Sequence, residues 1–305
     1  MKRLLKSLVL LALLASLAAM GYAYFWAGSP MRIGGDGALL AIKQGGTLRG
    51  VGRQLQEGGH IQDARLFWAL ARFTANDWVL KPGNYKLTPG LTPTQLLDKL
   101  ALGKPEVAEV QFLEGSRFKQ MRAILRERDD LRPDARGLSD SELLKAIGAT
   151  GLHPEGLFFP DTYQIEPGSS ELEVYRRAYK AMQGRLSEAW EKRSPTVPLK
   201  TAYEVLIMAS IIEKETGVAA ERARIAGVFY NRLRVGMRLQ TDPTVIYGLG
   251  DAFDGNLRRK DLQTDTPWNT YTRDGLPPSP IALPSLAAIE AATQPQSNDY
   301  FYFVG

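Results

Sequence analysis

From Val205 to Ile212 the chain is apolar at every position but Ser210, and its spacing suits a buried helix. With 3.6 residues per turn, Met208, Ile211, Ile212 and Glu215 fall on one stripe, at i, i+3, i+4 and i+7. A carboxylate that ends an apolar stripe loses hydration, which favours its protonated form. That prepares a glutamate to donate a proton near neutral pH. Glu213, two residues back and roughly 200° around the helix, should not share a site with Glu215. The plainer reading is that both carboxylates begin the polar end of a core helix, which Gly217 then stops.

Composition removes most rival chemistries. The chain has 305 residues, enough for two domains, with 44% hydrophobic and 23% charged residues, as expected of a folded protein. A net charge of +5 without a Lys/Arg block does not suggest nucleic-acid binding. Cysteine is absent, so neither a disulfide framework nor a thiol nucleophile is possible. The two histidines, His60 and His153, lie in no H-E-x-x-H motif, and no G-x-S-x-G accompanies either. No G-x-x-x-x-G-K-[ST] or G-x-G-x-x-G phosphate loop appears. No metal and no cofactor are expected, and carboxylate chemistry is the main enzymatic class left.

Lys2, Arg3 and Lys6 precede an uncharged run from Ser7 to Ala27. As a helix, those ~21 residues span ~31 Å, enough to cross a bilayer core. Tyr22, Tyr24, Phe25 and Trp26 close the run as an interfacial aromatic belt, and basic residues before it place the N-terminus in the cytoplasm. The competing reading is a cleaved signal peptide with Gly21-Tyr22-Ala23 as its cleavage site; length and the aromatic belt favour an anchor. In a bacterium this predicts a single-pass inner-membrane protein with a periplasmic body.

Further along, two helical patterns flank Gly58-Gly59, Trp78 to Leu87 reads as extended, and a third helix follows Thr92-Pro93. The aromatics Trp68, Phe73, Trp78 and Tyr85 suit either a sugar-facing surface or, more ordinarily, a core. Val107 to Phe112 alternates like a strand, residues 126–150 read as a charged surface excursion, and Pro154 to Tyr163 reads as an ordered, packed loop. Helices are predicted from Glu171 through Leu186 and from Arg222 to Leu233. Met237 to Thr241 alternates like an exposed strand, and Asp242-Pro243-Thr244 reads as a turn. The amide, hydroxyl and aromatic side chains of Trp268 to Tyr271, in irregular backbone, are of the kind a sugar-binding cleft uses, or else a polar loop surface.

Several of these stretches are motifs. E-G-L-F-F-P-D-T-Y runs from Glu155 to Tyr163 and A-S-I-I-E-K-E-T from Ala209 to Thr216. N-R-L-R-V-G-M-R-L-Q-T-D-P-T-V-I-Y-G runs from Asn231 to Gly248, and N-T-Y stands at Asn269 to Tyr271. Through them nearly the whole chain resembles the endolytic murein transglycosylase, or YceG-like, family. The resemblance implies an α+β fold: cytoplasmic residues 1–6, a transmembrane helix at 7–27, a small LysM-like domain at 38–104 and a mixed α+β catalytic domain at 105–305. It also implies cleavage within peptidoglycan glycan strands, between N-acetylmuramic acid and N-acetylglucosamine, leaving 1,6-anhydromuramyl ends, with nascent peptidoglycan as the expected substrate.

By the same resemblance, Glu215 is the catalytic acid/base, in agreement with the stripe. Intramolecular attack by the muramyl 6-hydroxyl supplies the nucleophile, so one carboxyl can serve where a hydrolase normally needs two. Glu213, Gln240, Thr241, Asp242, Tyr247, Asn269 and Tyr271 are candidate substrate-binding residues, with Glu213 secondary near the helix end. The implied partners are glycan strands, the inner membrane and peptidoglycan synthases. Ser279 stands where the family usually carries glycine, and Leu283-Pro284 where it carries a more polar pair. The chain also stops at Tyr302-Phe303-Val304-Gly305, read as a strand, after which family members usually continue; a missing neighbour there would leave an unpaired edge. Two alternatives remain at this stage: a non-catalytic peptidoglycan-binding scaffold, and a muramidase that uses water.

Overall fold

The structure is a computed structural model that describes residues 2–303 apart from 44, 75–79 and 104–107, with side chains from residue 6 onward. It divides into two compact units, Met1–Ala108 and Glu109–Gly305.

The first unit opens with helix α1 (Lys2–Ala27). Its segment Lys6–Ala27 has a mean hydropathy of 2.0 and is long and apolar enough to cross a membrane. The side chains along this helix are exposed until its last turn, where Trp26 packs on the core of the unit and Ala27 is buried. Thr94 Oγ1 donates to the Ala27 carbonyl at 3.0 Å, so the helix end is tied to the body of its own unit. That body runs β1 (Ala38–Ile42), α2 (Leu48–Glu57), α3 (Ala64–Thr74), β2 (Gly83–Leu87) and α4 (Pro93–Leu102).

The two strands are antiparallel, with Leu40 opposite Tyr85. Period-2 alternation turns Leu40, Ile42, Tyr85 and Leu87 inward, onto Val51, Leu55 and Phe67 from the helices. Thr47 and Thr92 cap α2 and α4 through their side-chain oxygens. Of the aromatics singled out in the sequence, Tyr85 is core, Trp68 lies under the Arg49 guanidinium at 4.5 Å, and Phe73 is 89% exposed. Trp78 lies outside the described residues.

The second unit is organised around α8 (Ala202–Glu215). Every residue from Val205 to Ile212 is buried, so the helix is enclosed on all sides rather than along one stripe. Around it pack α7 (Glu171–Glu191), α9 (Ala219–Arg234), α10 (Asp242–Leu249) and α12 (Leu286–Thr293). Thr201 caps its N-terminus by accepting from the Glu204 N–H. Ser210, the polar residue within, donates to the Ile207 carbonyl and accepts from the Ile281 N–H at 3.0 Å, so its burial leaves no unmet donor. The remaining elements are β3 (Ala108–Gln111), α5 (Phe118–Arg126), α6 (Asp140–Ile147), β4 (Thr162–Ile165) and the short α11 (Arg259–Gln263). Strands β3 and β4 form a two-stranded sheet.

Four sequence expectations change. Met237 to Thr241 is not a strand: Gln240 takes φ +48°, which breaks any alternation. Asp242-Pro243-Thr244 is the first turn of α10 and not a free turn, because proline is compatible with a helix's first positions. The excursion at 126–150 carries a buried set of its own, Leu131, Ala135, Leu143, Leu144 and Ile147. Tyr302-Phe303 belongs to no sheet; the Phe303 ring meets the Phe229 ring of α9 edge-on at 5.6 Å, while Val304 and Gly305 lie outside the described residues.

Candidate active site

Helix α8 ends at Glu215, with Thr216 already extended. The buried run therefore delivers the Glu215 side chain to the edge of the core, where it is only partly exposed. Thr241 donates its hydroxyl to Glu215 Oε1. Burial pushes the Glu215 carboxyl above the usual carboxylate range; Asp242 pushes the same way, and the Thr241 hydroxyl and Arg232 pull it back. The result is a carboxyl with raised proton affinity that still has fixed partners for its ionised form. A general acid that must later act as a base needs both properties.

The loop that carries Thr241 is held from below. The Thr241 N–H donates to Thr270 Oγ1 at 3.0 Å, the Gln240 N–H donates to the Thr270 carbonyl at 3.1 Å, and Thr244 Oγ1 lies 2.8 Å from Thr270 Oγ1. Gln240 is the non-glycine residue with positive φ among those described, and its side chain is exposed. Strain of this kind persists only where surrounding contacts over-determine the backbone, and the two bonds to Thr270 do so here. Asp242 is exposed at the start of α10 and accepts from the Tyr271 hydroxyl at 2.6 Å.

The structure thus gathers Thr241, Asp242 and Tyr271 about Glu215, leaves the exposed Gln240 next to Thr241 in the chain, and gives Asn269 and Glu213 other surroundings. Asn269 is fully buried, and its amide donates to the carbonyls of Asp261, Leu262 and Thr264 while its own oxygen accepts from the Tyr271 N–H. It shapes the loop that presents Tyr271. Glu213 accepts from the Ser285 N–H at 3.0 Å and from the Ser285 hydroxyl, and it pairs with Arg222 at 3.4 Å. Ser285 is the N-cap of α12, so Glu213 fastens that helix to the end of α8.

Tyr247 belongs to a second cluster. Its hydroxyl interacts with the carboxyl of Glu155, its ring meets Trp268 at 5.3 Å, and the Arg117 guanidinium lies 5.0 Å over its face. Glu155 is 4% exposed and accepts from the Phe118 N–H at 2.8 Å. Burial pushes its carboxyl up to about 7, against the pull of the Phe118 N–H, Tyr247, Arg117 and the Gly156 N–H. Gly156 has φ +78°, and a Cβ there would sit 2.4 Å from Pro280 Cβ, so the loop that carries Glu155 is wedged against Pro280. Ser279 is buried; it accepts from the Trp268 indole at 3.0 Å and donates to the Pro280 carbonyl. Leu283 is fully buried and exchanges two 2.8 Å backbone bonds with Gly115 and Ser116, which explains an apolar residue there.

The sequence reading passed over Glu155, Arg117 and Arg232 as site residues. The Glu155 signal was available: an acidic residue beside Gly156 and Leu157-Phe158-Phe159 cannot remain in water if that loop packs.

The site is thus a partly buried carboxyl that closes a buried helix, with Thr241, Asp242 and Tyr271 grouped beside it. Comparison with known proteins gives the family. Residues 40–305 match the YceG-like family, and the chain belongs to it. An endolytic murein transglycosylase of Bacillus subtilis (strain 168) is 29% identical over 282 residues, which cover 87% of this chain and 78% of that protein. One from Streptococcus pneumoniae (strain D39) is 29% identical over 335 residues, covering 97% of this chain and 60% of that longer protein. The crystal structure of a yceG-like protein from Listeria monocytogenes superposes with a TM-score of 0.56 at 30% identity, covering 88% of this chain and 93% of that one.

Proposed function

We propose that this protein is a membrane-anchored endolytic transglycosylase that cuts peptidoglycan glycan strands between N-acetylmuramic acid and N-acetylglucosamine, with Glu215 as its acid/base. The observation that carries this reading is the Glu215 carboxyl itself: raised in proton affinity by burial, and hydrogen-bonded by the Thr241 hydroxyl. The relatives named endolytic murein transglycosylase support the same substrate class.

In the proposed reaction, protonated Glu215 gives its proton to the glycosidic oxygen. The bond from that oxygen to the muramyl anomeric carbon breaks, and its electron pair stays with the departing N-acetylglucosamine as a hydroxyl. The muramyl 6-hydroxyl then attacks the anomeric carbon and returns its proton to the Glu215 carboxylate. A 1,6-anhydro ring forms without water, and the enzyme is back in its starting state. Thr241 holds the carboxylate in place during the ionised phase. Gln240, Asp242 and Tyr271 are proposed to contact the sugars directly. Tyr247 shapes the wall in which Trp268 stands, and Asn269 and Glu213 act through the loops and helix they hold.

Residues 7–27 are proposed as a single-pass anchor in the bacterial inner membrane, with residues 1–6 cytoplasmic and the rest periplasmic, placing the enzyme among nascent strands and the synthases that make them. Residues 38–104 are assigned as a LysM-like glycan-binding domain, supported by the β-α-α-β order and antiparallel strand pair; residues 105–305 form the catalytic domain. The test is digestion of purified peptidoglycan by the full-length chain in detergent, with glycan ends read by mass spectrometry. Ends lighter by one water, absent with Glu215→Gln, are the expected result. Reducing muramic ends would show hydrolysis instead, and binding without cleavage would show a scaffold.

A further inference from the structure

Arg232 lies on α9 and is 6% exposed. Its Nη1 donates to the Leu239 carbonyl at 2.5 Å and its Nε to the Phe301 carbonyl at 2.7 Å. The Tyr302 ring lies 5.2 Å from the guanidinium carbon. Both of these acceptors are neutral backbone carbonyls. A buried cation set on neutral acceptors is costly unless negative charge stands or develops nearby. Leu239 is two residues before Thr241, whose hydroxyl holds Glu215, and Arg232 acts on the Glu215 carboxyl through space.

We propose that Arg232 is a positioning residue of this site: it braces the 239–241 loop so that the Thr241 hydroxyl meets Glu215, and its fixed positive charge favours the Glu215 carboxylate formed once the proton has left. The inference rests on the acid/base reading of Glu215. Arg232 gives up no proton; it lowers the energy of the ionised half of the cycle by preorganised electrostatics. The groups that face Glu215 are Thr241, Asp242 and Arg232, with Tyr271 held on Asp242. Asp242 opposes the carboxylate, so Arg232 is the cation that offsets it. Phe301 and Tyr302 close the far side of the guanidinium, which makes the segment they belong to a support of the catalytic loop.

The experiment follows the Glu215 carboxyl by carbon NMR in the full-length protein labelled at glutamate, its resonance identified by its loss in Glu215→Gln. Arg232→Met should move the titration midpoint up, since a nearby cation favours the charged form. The same variant should lower kcat at least tenfold with KM little changed. Arg232→Lys, which keeps the charge but loses the fork, should hold the midpoint while kcat falls. Should Arg232→Met not fold, Arg232→Gln keeps a donor for the Leu239 carbonyl and gives the same readout. An unmoved midpoint in the charge-removing variant, or a raised KM with kcat intact, overturns the proposal. A shifted midpoint in a protein that makes no anhydro ends would uphold the electrostatic coupling and sink the transglycosylase reading instead.

Discussion

Glu213 and Glu215 stand two residues apart on the last turn of α8, yet their carboxylates meet different partners. Glu213 is held by Ser285 and Arg222, and Glu215 by the Thr241 hydroxyl. About 200° of helical rotation separates the two roles. Glu213→Ala should therefore act on stability: it leaves Arg222, whose side chain is 12% exposed, without its carboxylate, and unties α12. A loss of ~3 kcal/mol is expected, read as a lowered Tm, with anhydro ends still formed by the folded fraction. Glu215→Gln should leave Tm near the wild-type value and abolish those ends. If Glu213→Ala abolished product with Tm unchanged, the division of labour would be wrong.

The neighbours of Glu215 should shift its titration in opposite directions. In the proposed mechanism Glu215 starts protonated, so kcat/KM should fall as pH rises through its pKa. Asp242 raises that pKa, and Asp242→Asn should move the fall to lower pH. The Thr241 hydroxyl lowers it, so Thr241→Val should move the fall to higher pH. Thr241→Val should also reduce the maximal rate roughly tenfold or more, because a hydrogen bond to a charged group is lost. Shifts of the same sign in both variants would contradict the arrangement.

Glu155 carries a stability signature. Its folded carboxyl is raised to about 7, above the ordinary value of 4.5, so the native state binds the extra proton in between. Its effect on stability is most favourable below about 4.5 and is lost as pH rises through about 7. Glu155→Gln removes this dependence. Urea unfolding at pH 5 and pH 8 should show the variant gaining on the wild type at the higher pH. A constant difference between the two proteins would mean that the carboxyl does not titrate in this range.

Gln240 separates backbone from side chain. Its φ of +48° suits glycine, so Gln240→Gly should keep the loop and the pH profile while raising KM if the exposed amide contacts glycan. Gln240→Val, β-branched in a left-handed position, should lower Tm and kcat together. Equal KM in wild type and Gln240→Gly would remove the side chain from substrate binding.

Much was readable from local order because its causes are local. The apolar run before Glu215 had to be buried, and a helix was the way to bury its backbone, so the sequence placed one carboxyl at the rim of a core. The helix start at Thr92-Pro93 and the uncharged segment 7–27 are equally local. The stretch Met237 to Thr244 misled because alternation signals a strand only while φ stays negative, and long-range bonds to Thr270 impose a positive φ at Gln240. Asn269 read as a cleft residue by type, but burial turned its amide toward backbone carbonyls.

Sequence by itself determined that this chain buries a helix ending in a carboxyl, has no cysteine and few histidines for other chemistry, and carries an uncharged segment of membrane-spanning length. Only tertiary structure decided that Ser285 and Arg222 meet Glu213, that Thr241 reaches Glu215, and that Arg232 lies buried behind the loop. The reason is that desolvation and Coulomb interactions depend on distances between segments remote in the chain, and no pattern of neighbouring residues encodes those distances.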